Sequence, residues 1–359
     1  MKNSYRCIGL MSGTSLDGVD LVCVSLQTGS SFSYELLAAK TYAYSKAWKE
    51  KLQGAFSSTT SQLKELDKEY GQYLGNLVLE FTDTFAFDSL DFIASHGHTI
   101  FHKPEAGYTL QIGCGTELSK CTGVTVVYDF RSQDVAMGGQ GAPLVPIGDK
   151  LLFSKNDFCL NLGGFANISF ESEGSRIAFD ICPVNIVMNH LVSTLGWDYD
   201  DKGKLASSGK IIPQLLAALN ALEFYRLPAP KSLGFEFVVA EVFPVIAQYD
   251  FAIADVLCTF VEHAAQQIVE VLSQKEEGNV LVTGGGARND FLMQRIAALS
   301  SIKVIVPSED LVDYKEALVF ALLGVLKIEN SINCLASVTG ASKDHSSGLI
   351  VTPLSTQTE

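Results

Sequence analysis

The sequence is short of positive charge, of paired cysteines and of long apolar runs, and each shortage removes a class of function. Only 26 lysines and arginines stand against 40 aspartates and glutamates, a net charge of −14. A surface that acidic repels phosphate backbones and anionic lipid, which argues against nucleic-acid and membrane-surface partners. It still allows a small anionic ligand, held by backbone N–H groups and one or two local cations. The eight cysteines (Cys7, Cys23, Cys114, Cys121, Cys159, Cys182, Cys258 and Cys334) contain no C-x-x-C pair. In a chain of this size that scatter reads as reduced thiols serving as small core residues. The longest uncharged apolar run, 317–326, has ten residues, about half of the roughly 20 that a membrane span needs. Polar residues at 1–6, with breaks at Gly9, Ser12 and Gly13, leave no signal-peptide core. The expectation is a soluble cytoplasmic protein.

What is present is an ordinary globular composition, 47% hydrophobic and 10% aromatic over 359 residues. It excludes disorder as the main state, and at about 150 residues per domain it predicts two to three units. The amino-terminal stretch 7–11 is apolar and breaks at the small-residue turn 12–18. Strands are expected at 19–26 and 34–44, a helical stretch at 46–87, a buried strand at 92–97 ending at a Gly turn, and another strand at 124–130. A similar order restarts near residue 157. Strands are expected at 158–162, 166–170 and 176–179, then helices at 185–195 and 255–272. A strand at 279–283, a helix at about 289–299, a strand at 303–306 and a helix at 314–327 complete the chain. Strand, small-residue turn, strand, strand, then alternating α/β thus occurs twice. The expected division is 1–150 and 151–359.

Three glycine-rich turns carry the candidate chemistry. Ser12-Gly13-Thr14-Ser15-Leu16-Asp17-Gly18 exposes N–H groups and hydroxyls that suit a terminal phosphate, and Asp17 can hold Mg²⁺ there, directly or through water. No Gly-Lys-Ser/Thr follows, so it is not a Walker A loop, and a plain hairpin turn is the alternative. Asn161-Leu162-Gly163-Gly164-Phe165-Ala166-Asn167 is a second bend where backbone can approach a ligand. Two such bends, one per half, can face each other across a cleft. Gly284-Gly285-Gly286-Ala287-Arg288-Asn289 joins a strand to a helix and permits close approach of a flat base or ribose.

Asp180 follows the apolar strand 177–179, where open α/β sheets place their ligands. It reads either as a general base or as an N-cap for the next helix. His96, His98 and His102 form H-x-H-x₃-H, which reads as a zinc set or as imidazoles lining a polar pocket. Arg131, near Asp134 and the Gly138-Gly139-Gln140-Gly141 run, can grip a carboxylate or phosphate, or else lie solvated in a surface turn. Glu316 is expected to open the last helix, whose Ala317, Phe320, Ala321 and Gly324 form a small-residue face able to pack near a nucleotide or in the core.

Residues 9–20, Gly-Leu-Met-Ser-Gly-Thr-Ser-Leu-Asp-Gly-Val-Asp, resemble the opening motif of anhydro-N-acetylmuramic acid kinases. Asp129-Phe130-Arg131, Asp134-Val135-Ala136 and residues 138–146 resemble that family's second long motif. Residues 161–168, Pro230-Lys231-Ser232 with Gly234, and 284–289 also match, so the likeness spans roughly 7–326. It implies a two-lobed actin-like or sugar-kinase fold, a duplicated ribonuclease-H-like α/β architecture with ATP and substrate in a central cleft. The implied reaction phosphorylates the 6-oxygen of 1,6-anhydro-N-acetylmuramic acid and opens the anhydro bridge with water. By matching position, Asp180 would activate that water. Gly13, Thr14, Ser15, Leu16, Asp17, Gly18, Val19 and Asp20 would cradle ATP, together with Gly163, Gly164, Asn167, Gly284, Gly285, Gly286 and Asn289. His96, Gly97, Thr99, Arg131, Asp134 and Gln140 would hold the amino sugar.

The sequence departs from the family where Phe-Asp-Thr-Gly-Pro-Gly-Asn is replaced by Phe179-Asp180-Ile181-Cys182-Pro183-Val184-Asn185. His-Gly-Gln-Thr appears as His96-Gly97-His98-Thr99, the following Arg as Phe101, and an Asp as Asn189. Ile181, Cys182 and Val184 motivate a second reading, a nucleotide-binding regulator of the same fold whose catalysis has decayed. The apolar helices are compatible with a homodimer without requiring one.

Overall fold

Two nearly continuous apolar runs form a hairpin: β1 (Ser4–Ser12) pairs antiparallel with β2 (Gly18–Gln27). In turn β2 pairs with β3 (Ser33–Ala43). On its other side β1 runs parallel to β4 (Phe92–Lys103), and β4 to β6 (Val126–Tyr128). Short β5 (Tyr108–Ile112) folds back on β4. These elements belong to a computed structural model that describes residues 2–29 and 31–353.

A second sheet repeats the pattern. Strands β7 (Phe158–Leu162), β8 (Phe165–Ser172) and β9 (Ser175–Pro183) form an antiparallel meander. Strand β10 (Asn279–Thr283) lies parallel to β7, and β11 (Lys303–Ile305) parallel to β10. Five strands of the first sheet read β6-β4-β1-β2-β3, and the second sheet reads β11-β10-β7-β8-β9. Passing over β5, each has its strands in the order fifth, fourth, first, second, third. The duplication inferred from element order is therefore real, and the chain has the expected α/β, duplicated ribonuclease-H-like fold.

By its contacts the chain forms two compact units, Met1–Leu152 with Tyr314–Glu359, and Phe153–Asp313. The expected second domain ran from 151 to the end; from Tyr314 onward the chain instead groups with the amino-terminal residues. Two contacts within that first unit explain it. The helix Glu309–Ile328 lays Ala317 and Ala321 against β1, and β12 (Leu349–Val351) pairs antiparallel with β6. This helix starts at Glu309, so Glu316 lies about two turns inside it and does not open it. Its small-residue face is core: Ala317, Phe320 and Ala321 are buried. At Gly9 an added Cβ would stand 2.0 Å from the Ala317 carbonyl oxygen, so only glycine lets strand and helix approach this closely.

Two other expectations change. The helical stretch 46–87 is two helices, Lys46–Gly54 and Thr60–Phe85. The second starts where Thr59 and Gln62 cap each other reciprocally, each side chain accepting the other's backbone N–H. The strand expected to stop at Gly97 continues to Lys103. Gly97 takes φ +74° inside it, and an added Cβ would stand 2.5 Å from the Ile112 carbonyl oxygen of β5. The glycine bends the strand rather than ending it.

In the second unit the helix Ile253–Leu272 is buried on most of its circumference, with Leu257, Phe260, Val261, Ala264, Ile268 and Leu272 in the core. Among the described residues no helix is long and apolar enough to cross a membrane. Gly9→Val should cost about 3 kcal/mol of unfolding free energy through overpacking against the helix backbone. Gly54→Ala, where an added Cβ meets nothing within 4 Å, should leave stability unchanged or slightly raised. Chemical denaturation of both variants checks this; equal midpoints would refute the close approach.

Candidate active site

In the first unit the 12–18 turn begins from a buried polar chain. Ser12 Oγ bonds Tyr44 OH at 2.6 Å and His98 Nδ1 at 2.8 Å, and Tyr44 OH bonds Tyr70 OH. Thr14, Ser15 and Asp17 are exposed beyond it, and the Asp17 carbonyl accepts from Tyr44 N–H at 3.2 Å. Leu16 turns the chain at φ +59°. Val19 sinks into the core, and Asp20 accepts from the Thr41 hydroxyl at 2.6 Å.

The second motif of this unit packs around Arg131. Its Nε donates to His96 Nε2 at 3.0 Å and its Nη1 to the Gly141 carbonyl at 2.6 Å. His96 Nδ1 lies 3.0 Å from the Gly97 carbonyl, so Nδ1 carries the proton and Nε2 accepts. Thr99 is half-buried and accepts from Gln111 Nε2 at 3.3 Å, and Gln140 is exposed. Asp134 is wholly buried. Its Oδ2 accepts from Gly141 N–H and its Oδ1 from the Thr339 hydroxyl, each at 2.7 Å, so it supports the Arg131 turn from below. The histidine zinc set does not assemble: ring nitrogens of His96 and His98 are spent on Gly97, Arg131 and Ser12. Among the described residues only Asp134, Cys334 and His345 bring three metal-ligating atoms together. Sequence reading passed over Gln111, whose Oε1 is buried without a hydrogen-bond partner; an isolated Gln in a short mixed strand gave no signal.

In the second unit Asp180 lies in β9, opposite Asn167 of β8. Its N–H donates to the Lys231 carbonyl at 2.9 Å, and Oδ2 accepts from Leu233 N–H at 2.8 Å. Residues 231–233 thus hold Asp180 through main chain, Lys231 at its backbone and Leu233 at its carboxylate. Asp180 is not a cap: the helix Asn185–Ser193 starts after Val184 with no side-chain cap. Burial raises the Asp180 pKa, and the Leu233 hydrogen bond opposes this only in part. Ile181, Cys182 and Val184 are buried members of the core, so the departures from the family pattern fill the interior instead of crowding the acid.

The Gly163-Gly164 bend is tied to the next helix, with Val184 N–H donating to the Gly164 carbonyl at 2.8 Å and Asn185 Nδ2 to the Leu162 carbonyl at 3.2 Å. Gly284 and Gly286 abut Leu162, and added Cβ atoms would stand within 3.0 Å of it. Asn289 is only 8% exposed and caps the helix Asp290–Leu299, accepting from Leu292 N–H at 3.0 Å; its side chain faces inward. Gly18, Gly284 and Gly286 are therefore demanded by packing. Gly13, Gly163, Gly164 and Gly285 are not, because an added Cβ would meet nothing closer than 3.5 Å. Glycine at positions the fold leaves roomy is what open backbone facing a ligand requires.

A family model described as anhydro-N-acetylmuramic acid kinase matches residues 5–353. The chain belongs to the anhydro-N-acetylmuramic acid kinase family. Curated relatives with that name include one from Vibrio cholerae, 36% identical over 365 residues, 96% of this chain and 98% of that one. The relative from Pasteurella multocida is 36% identical over 363 residues, 96% of each chain. Among solved structures, a ROK family glucokinase from Streptomyces griseus in complex with glucose and AMPPNP has a TM-score of 0.40 at 11% identity, covering 89% of this chain and 98% of that one. The activator of the 2-hydroxyisocaproyl-CoA dehydratase from Clostridium difficile, with bound ADPNP, has a TM-score of 0.44 at 14% identity, covering 88% and 93%.

Burial holds His96 and His98 of this kinase-family chain neutral. The His98 pKa falls from 6.5 to about 4, and His96, buried beside the Arg131 cation, falls well below its usual value. The unfolded chain binds these protons near 6.5 and the folded chain does not. Stability is therefore full above pH 6.5 and lost as pH falls from 6.5 toward 4. Denaturation midpoints measured across that window should fall steadily, and less steeply in His98→Gln. A flat profile would refute the neutral, buried imidazoles.

Proposed function

We propose that the chain transfers the terminal phosphoryl group of ATP to the 6-oxygen of 1,6-anhydro-N-acetylmuramic acid with addition of water at the anomeric carbon. The products are N-acetylmuramic acid 6-phosphate and ADP, a cytoplasmic step of cell-wall recycling. Family membership over nearly the whole chain supports the reaction. The observation that carries the mechanism is Asp180, a half-buried carboxylate of raised pKa aimed by the Leu233 N–H.

The roles follow from the groups present. Asp180 takes a proton from water as its oxygen bonds to the anomeric carbon. The bond from that carbon to the bridging oxygen breaks, and the released electron pair goes to phosphorus as ADP departs. A raised pKa makes Asp180 a stronger base than an ordinary aspartate, and main-chain contacts keep its aim without a competing cation. Positioning supplies much of the remaining barrier reduction.

The chain offers groups that fit ATP and Mg²⁺. Thr14, Ser15 and the open backbone at Gly13 suit the phosphates, and Gly163, Gly164 and Gly285 leave backbone free for the remainder of the nucleotide. Gly284, Gly286 and Asn289 shape that surface from within. The exposed carboxylate of Asp17 would hold Mg²⁺, through water, and the ion when bound offsets phosphate charge. Arg131, fixed through two of its nitrogens, and His96, fixed in one tautomer, would orient the amino sugar together with Gly97, Thr99 and Gln140. Asp134 acts beneath them by holding the 138–141 turn.

Asp180→Asn keeps an oxygen for the Leu233 N–H and removes the proton acceptor. Sugar-dependent ADP release should fall by roughly 10²–10⁴-fold, while the melting temperature stays level or rises because a partly desolvated charge is gone. In the wild type, product mass should show one water added with the phosphoryl group. Wild-type turnover in the variant would overturn the assignment of the base.

A further inference from the structure

The buried cluster of Asp134, Cys334 and His345 lies outside the roles assigned above except for the support Asp134 gives the Arg131 turn. Three observations single it out. Cys334 and His345 are a directly paired antiparallel bridge, each N–H donating to the other's carbonyl at 3.1 Å. Residues paired in this way project their side chains to one side of the ladder. Both then meet Asp134 Oδ1, with Cys334 Sγ at 3.3 Å and His345 Nε2 at 3.5 Å. All three ligating atoms lie within 4.8 Å of one another, and the residues are 0%, 1% and 6% exposed.

The second observation is the imidazole itself. His345 Nδ1 lies 3.1 Å from the Lys343 carbonyl, so the proton of a neutral ring sits on Nδ1. Nε2 is buried and makes no hydrogen bond. A bare lone pair facing a carboxylate oxygen is repulsive, and a backbone carbonyl on the far nitrogen is the usual way a metal-binding histidine is oriented. The third is crowding: Asp134 Oδ1 already accepts from Thr339 Oγ1 at 2.7 Å, and the Cys334 thiol also points at it.

We infer that Asp134, Cys334 and His345 form a structural site for a divalent zinc-like cation. Thiolate, imidazole and carboxylate are the donor set zinc takes, and metal–ligand bonds of about 2.0–2.3 Å in a tetrahedron set donors roughly 3.3–3.6 Å apart. The two separations from Asp134 match that edge length. Binding releases the Cys334 proton to solvent and forms a thiolate–metal bond. Without a cation, burial and Asp134 hold that thiol protonated; a metal ion reverses this preference. With three protein donors, one corner is left for a small molecule such as water. The bound ion would pin residues 334–345 to Asp134, whose other oxygen holds the Gly141 N–H.

The test uses the untagged, full-length protein. Elemental analysis after incubation with zinc and dialysis should show near-stoichiometric metal, and a chelator should remove it with a fall in melting temperature. Cys334→Ser and His345→Gln should each lower retained zinc by about tenfold or more, whereas His190→Gln, at an exposed imidazole, should retain it. Because either cluster variant can misfold, cobalt added to the wild-type protein gives a second readout, a thiolate-to-cobalt charge-transfer band in the near ultraviolet. No retained zinc and no such band would overturn the site. That result would leave a proton on His345 Nε2 bonded to Asp134. Zinc retained undiminished in both cluster variants would overturn it equally.

Discussion

Close contact between main chains, more than any side-chain pair, sets the geometry of the first unit. At Gly9 the strand β1 touches the carbonyl of Ala317 at a distance that leaves no room for a methyl group, and at Gly18 the start of β2 does the same against Tyr42. The exposed turn between them is thus anchored at both ends by backbone that cannot shift. Thr14, Ser15 and Asp17 gain fixed positions from residues that have no side chains of their own. The second unit uses the same economy, since Gly284 and Gly286 press on Leu162.

The polar groups follow a related logic. Asp180 is aimed by main-chain atoms, the Lys231 carbonyl and Leu233 N–H, whereas Arg131 is held by the Gly141 carbonyl together with the His96 ring. Main chain cannot change its charge with pH, so the aim of Asp180 persists as that acid titrates. The imidazoles near Arg131 and Ser12 are kept neutral by desolvation, which makes them acceptors or directed donors instead of competing cations.

Much of this was legible in the residues. Two runs of strand, small-residue turn and meander gave the duplicated sheets, because apolar runs and glycine breaks are local properties. The motif glycines marked the turns, but not which of them face outward. Gly13 and Gly18 look alike in sequence, and only the neighbouring Tyr42 carbonyl tells them apart. The surroundings of Asn289 and Asp134 were not legible either. A polar residue beside a glycine run reads as ligand-facing, yet one serves as a helix cap and the other lies wholly inside. The bend at Gly97 depends on β5, the next strand, and the return of residues after 313 to the first unit depends on β1, about 300 residues back; no pattern local to either segment encodes the partner.

That return carries a consequence for biosynthesis. The first unit lacks the helix that closes on β1 until Ile328 has been translated, and the edge strand that pairs with β6 until Val351 has been. The second unit, complete at Asp313, has all of its own residues on hand sooner. On a ribosome the middle of the polypeptide can therefore be finished before its beginning, and the nascent amino-terminal sheet must wait with an apolar face uncovered.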